Sequence, residues 1–83
     1  MASKIAYKSS VAGDLRRLDK PIARRLLEKL EHALAQNPNI GIPLAGEFRG
    51  LFKLRVGDYR VIYAKTSDGV LILRIAHRKE VYR

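Results

Sequence analysis

Hydrophobic and polar positions divide the chain at Leu51, where the period of the apolar residues changes from 3.6 to 2. Before it, Ile5 and Tyr7 alternate with Lys4 and Ala6, which predicts a short strand over residues 3–7 that starts a sheet. Val11, Leu15 and Leu18 then recur at helical spacing behind Ser9 or Ser10, either of which suits a helix cap, although Gly13 weakens that helix. Ile22, Leu26, Leu30, Ala33 and Leu34 form a second helical stripe running to Gln36, and Pro21 marks its first turn just after Asp19. Two helices joined near Asp19 and Lys20 follow. Asn37, Pro38 and Asn39 stop the second, and the stretch from Gly41 to Gly50, with Pro43 and three glycines, reads as a loop returning to the sheet.

Past Leu51, alternation sets Phe52, Leu54 and Val56 on one face of a strand and Leu51, Lys53 and Arg55 on the other. Gly57 and Asp58 turn the chain into a strand over residues 59–64, where Tyr59, Val61 and Tyr63 oppose Arg60 and Ile62. Ser67, Asp68 and Gly69 turn it again into a strand over residues 70–76. The expected fold class is α+β: an N-terminal strand, an antiparallel helical hairpin and a three-strand antiparallel meander. The helices should cover the face carrying Phe52, Leu54, Val61 and Tyr63, because their apolar stripes need a partner layer.

Size and composition narrow the classes. At 83 residues the chain suits one domain spanning 1–83, and 47% hydrophobic with 30% charged residues is the balance of a folded protein. The absence of cysteine excludes disulfides, thiolate metal sites and cysteine nucleophiles, and two isolated histidines make no zinc site, so neither metal nor cofactor is expected. No apolar run approaches the ~20 residues of a membrane span and no secretory leader pattern opens the chain, so no membrane partner is expected and the expected location is the cytoplasm. Seventeen Lys and Arg against eight Asp and Glu give a formal charge of +9, which favours a polyanionic partner.

The charge has a local focus. Lys53, Arg55 and Arg60 converge on the face the helices leave open, and like charges side by side on a sheet repel. An anionic ligand would offset that repulsion, while a solvated face fits the same alternation. The last segment, from Ala76 to Arg83, adds an imidazole, a phenol and further cations. Arginine binds phosphate through a bidentate fork, and a phenol stacks on a base or exchanges a proton. His77 alone reads more readily as a hydrogen-bonded structural residue, and His32, on the exposed side of its helix, as neither ligand nor catalyst.

The run GLFKLRVGDYRVIY (Gly50 to Tyr63), followed by LRIAHRKEVYR (Leu73 to Arg83), resembles the RelE family of toxins from type II toxin–antitoxin modules. The resemblance covers the whole chain, in the family's order of elements. It implies a metal-independent mRNA interferase that enters the ribosomal A site and cuts the message there. The implied partners are the ribosome with its rRNA, the mRNA and a cognate antitoxin, with promoter DNA reached only through the antitoxin.

Carried over, the family's catalytic residues fall on Lys53, Arg55, Arg60, Arg78 and Tyr82, and RNA binding on Lys53, Arg55, Arg60, Arg74, His77, Arg78, Lys79 and Arg83. Arg55 stands where some members have lysine and Ala76 where glycine commonly precedes the His-Arg pair, and no helix trails Arg83. Arginine keeps its charge to a pKa above ~12, so Arg55 suits a phosphate clamp better than a base. The resemblance implies a 2′-hydroxyl attack on the adjacent phosphate, with Arg60, Arg55 and Lys53 on the phosphate, Tyr82 taking the proton or stacking a base, and Arg78 facing the leaving oxygen. A ParE-like toxin acting on DNA gyrase and a non-catalytic RNA-binding module are the alternatives.

Overall fold

A computed structural model describes residues 4–77 and 79, and these form two helices on one face of a five-stranded mixed sheet. Strand β1 (Lys4–Tyr7) leads into α1 (Val11–Arg16) and α2 (Lys20–Gln36), and the chain returns as β2 (Ile42–Pro43), β3 (Leu51–Val56), β4 (Tyr59–Lys65) and β5 (Gly69–His77). The strand order is β1-β5-β4-β3-β2. The expected meander is β3, β4 and β5, all antiparallel, while β1 pairs parallel with β5 from Lys4↔Gly69 to Tyr7↔Ile72. The α+β architecture and the two consecutive helices are as the periodicity predicts.

Two expectations are corrected. The segment read as a loop holds the short edge strand β2, whose Ile42 and Pro43 pair with Lys53 and Phe52, followed by a 3₁₀ turn over Gly46–Phe48. Two residues carry no period, and proline is tolerated because the edge asks nothing of its missing N–H. Neither serine hydroxyl caps α1: Ser10 is itself helical in its backbone, and the first-turn amides of Ala12, Gly13 and Asp14 bond to the carbonyls of Ser9 and Ser10. At α2 the extended Asp19 stands at the cap with Pro21 in the first turn.

The core lies between the two layers. Val11, Leu26, Leu30 and Leu34 from the helices meet Val61, Tyr63, Val70, Ile72 and Ile75 from the sheet. Ile22, the first residue of the α2 stripe, remains 39% exposed, because that end of the helix overhangs the β3–β4 turn. Gly57, at φ +60°, is the first of the two turn residues between β3 and β4, the position a type II′ hairpin reserves for glycine. No helix among the described residues is long and apolar enough to cross a membrane.

Tyr63 ties the crossing segment to the core. Its ring is fully buried and stacked on Phe52, and its hydroxyl accepts from the Gly41 amide at 2.9 Å and donates to the Pro38 carbonyl at 3.0 Å. A Cβ on Gly41 would lie 2.5 Å from that hydroxyl oxygen, and the packed ring cannot withdraw. Tyr63→Phe leaves the buried Gly41 amide without its acceptor, and Gly41→Ala overpacks the same point; each should cost about 1–3 kcal/mol. Urea unfolding midpoints check this, and a shift worth less than about 0.5 kcal/mol for both variants would sink it.

Two phenols make the fold sensitive to alkali. Burial, reinforced by the hydrogen bond it donates to Glu31 and by that residue's charge, pushes the Tyr7 phenol well above its ordinary range. Burial also raises Tyr63, opposed in part by the Gly41 amide. A phenol whose folded pKa exceeds its unfolded value near ~10 contributes stability that is complete below that value and is lost as pH rises toward the folded pKa. Unfolding free energy should therefore be lower at pH 11 than at pH 8, with Tyr7→Phe reducing the difference; equal values at the two pH values would contradict the assignment.

Candidate nucleic-acid interface

The candidate site is built on the sheet face opposite the helices, and the pairing register decides which cations it holds. Arg55 on β3 is the direct partner of Arg60 on β4, and Arg60 is the partner of Ala76 on β5. One rung away, Lys53 pairs with Ile62 and Ile62 with Arg74. Two neighbouring rungs thus carry Arg55–Arg60–Ala76 and Lys53–Ile62–Arg74, which bring four of the expected RNA-binding cations together around one isoleucine. Lys53 and Arg60 are half-buried and Arg55 is exposed, its Nε–H donating to the Gly57 carbonyl at 3.4 Å.

Arg74 owes its place to a β-bulge. Tyr63 pairs with Ile72 but Ile62 pairs with Arg74, so Leu73 is an extra residue in β5. Unbroken alternation would put Arg74 on the core face with Val70 and Ile72. The bulge moves Arg74 and Ala76 to the cationic face and sends Ile75 and His77 to the helix side, where Ile75 completes the core.

His77 consequently stands on the other face of the sheet from Lys53, Arg55 and Arg60. It pairs with Tyr59, stands edge-on to the Tyr59 ring at 5.4 Å, and accepts the Lys79 amide proton on Nδ1 at 3.2 Å. That acceptor role leaves the proton of a neutral ring on Nε2. Lys79 is exposed. Arg78, Tyr82 and Arg83 lie outside the described residues. His32, exposed on α2, shares a side-chain hydrogen bond with Gln36 at 3.2 Å.

Chemically, the face can hold a phosphodiester. Cβ atoms of directly paired residues stand about 4.5–5.5 Å apart, so two guanidiniums on one rung can grip one phosphate from both sides. The Arg55–Arg60 rung carries like charges at that spacing, an arrangement an anion relieves. Among the described residues no three His, Cys, Asp or Glu side chains come together as a metal site. Asp14, Arg17 and Tyr59 were not singled out by the sequence; they line a cleft beside β5 that assembles from three distant segments and leaves no local signal.

Comparison with known proteins gives this architecture a class. The family described as the ParE toxin of the type II toxin–antitoxin system parDE matches residues 5–82. A curated protein of Mycobacterium tuberculosis, Toxin RelE, is 41% identical over 83 residues, covering 95% of this chain and 84% of its own. Among solved structures, the toxin–antitoxin complex RelBE2 of the same organism superposes with a TM-score of 0.86 at 30% identity, covering 94% of this chain and all of that one. The isolated E. coli RelE toxin, at 21% identity and a TM-score of 0.69, covers 98% of this chain and 92% of its own and supports the fold alone. The sheet, the two helices on its one face and these likenesses together define a toxin of the type II toxin–antitoxin class. Within that class the chain belongs to the RelE family.

Proposed function

We propose that this toxin is an mRNA interferase that cuts message in the ribosomal A site, through attack of a 2′-hydroxyl on the adjacent phosphate. The observation that carries the reading is the pair of cationic rungs, Arg55 with Arg60 and Lys53 with Arg74, on the sheet face away from the helices. In-line attack builds negative charge on the phosphate, and fixed donors in a half-buried site stabilise it with little reorganisation. Arg60 and Arg55 take that phosphate, Lys53 strengthens the same field, and Arg74 holds the neighbouring backbone. Tyr82 accepts the 2′-proton and Arg78 faces the leaving 5′-oxygen. None of these groups is a conventional base at neutral pH, so the ribosome supplies the alignment of the message. The work is then done where ribosomes are, in the cytoplasm, and needs no cofactor.

A cognate antitoxin is the proposed protein partner, supported by the M. tuberculosis relative, which was solved as a toxin–antitoxin complex. Contact with promoter DNA would run through that antitoxin. The family description naming ParE favours a second reading, inhibition of DNA gyrase. Purified protein added to programmed ribosomes, with message ends mapped by primer extension, should show cuts within A-site codons, whereas gyrase supercoiling should proceed unchanged. Intact message together with blocked supercoiling would reverse the assignment.

A further inference from the structure

Beta strand pairing leaves one edge of β5 uncovered beyond Ile72, since β1 ends its register at Tyr7↔Ile72. There α1 takes the place of a strand: Asp14 Oδ2 accepts the Ile75 amide at 3.0 Å and so pins the helix to the edge. Between them opens a cleft of about 280 Å³, lined by Asp14, Arg17, Tyr59, Arg74, Ile75 and His77 among others. This volume falls just short of the range of small-ligand sites, ~300–1,000 Å³, and suits a single small group.

Its lining is specific in kind. Tyr59 and His77 offer aromatic surface on one side, already held edge-to-face with each other. Two guanidinium groups, Arg17 and Arg74, supply charge that a single carboxylate, itself engaged by Ile75, does not balance. Arg74 belongs both to this cleft and to the cationic rungs, so the two sites adjoin without crossing the core. Unstacked bases of single-stranded RNA are recognised by aromatic rings and guanidinium planes, with cations on the phosphates.

We propose that the cleft between α1 and the free edge of β5 is a nucleotide pocket, taking one nucleotide of a single-stranded RNA with its base against Tyr59 and His77 and its phosphate between Arg17 and Arg74. The proposal rests on the reading that the cationic sheet face binds RNA, and extends it around the edge of the sheet. It gives the RNA two points of hold, the scissile phosphate on the Arg55–Arg60 rung and a neighbouring nucleotide in the cleft.

The test uses the free toxin and a 2′-O-methylated RNA trinucleotide, which lacks the nucleophile and stays intact. Arg17 is exposed, so Arg17→Ala leaves the fold in place, and its neighbour Arg16, exposed but outside the cleft lining, controls for net charge. Arg17→Ala should weaken trinucleotide binding about tenfold and Arg16→Ala by less than about twofold. In an amide NMR titration of the parent, the Ile75 signal should move. Equal weakening by both substitutions, or shifts confined to residues 53, 55 and 60 with Ile75 unmoved, overturns the pocket. Trinucleotide held in the cleft by a toxin that leaves A-site message uncut would support the pocket while removing the proposed function, and cutting with an unresponsive cleft would do the reverse.

Discussion

Arg60→Ala should lower single-turnover cleavage of ribosome-bound message by about 10²–10³-fold, the loss seen when one preorganised charge-stabilising donor is removed from a transition state. Arg60 sits at the centre of its rung, flanked by Arg55 on one strand and Ala76 on the other, and is the half-buried member of the arginine pair. A partly dry site is where a fixed cation acts most strongly. The fold should survive, because the hydrophobic cluster lies on the opposite face of β4, at Val61 and Tyr63. Circular dichroism and a melting curve alongside the cleavage assay separate the cases. A variant that is folded and cuts within about tenfold of the parent, or one that unfolds, would return Arg60 to a structural role. Arg60→Lys keeps the charge but not the fork, and should recover part of the rate.

Tyr82→Phe should cost ~10²-fold or more in the same assay if the hydroxyl accepts the 2′-proton, and almost nothing if the ring only stacks on a base. An ordinary phenol, with a pKa near ~10, is a poor acceptor at neutral pH, so the proton-accepting role requires cations close enough to favour the phenolate. Cleavage within about threefold of the parent would assign the ring to stacking. A companion measurement sharpens the outcome: a proton-accepting phenol should make the parent's rate rise with pH through the neutral range, and Tyr82→Phe should flatten that rise. Here Tyr82 lies outside the described residues, and its role stands on the resemblance of LRIAHRKEVYR (Leu73 to Arg83) to the family's closing motif.

Much of the architecture was legible along the chain because its signals are local. Leu26, Leu30 and Leu34 recur at one helical spacing and are all buried, and Pro21 sits in the first turn of α2 where its lost amide costs nothing. Alternation in β3 and β4 placed Lys53, Arg55 and Arg60 together on the face away from the helices, as the register has them. Charge and turn chemistry could go no further. The edge strand β2 spans two residues, one of them proline, too few for a period to declare itself. The hydroxyl caps expected at Ser9 or Ser10 gave way to backbone bonds in a tight entry turn.

Alone, then, the sequence determined the two helical stripes, the three-strand meander, the +9 charge and the family whose motifs run from Gly50 to Arg83. Tertiary structure decided the parallel pairing of β1 with β5, the closure of Gly41 on the Tyr63 hydroxyl, and the bulge at Leu73 that moves Arg74 to the face of Lys53, Arg55 and Arg60 and His77 to the opposite one. The division has one physical cause. Periodicity records which side chains seek burial and is carried by each segment in itself, whereas a register, a bulge or a close backbone approach exists only between two segments, where hydrogen bonds to a distant strand choose among alignments that either sequence alone permits.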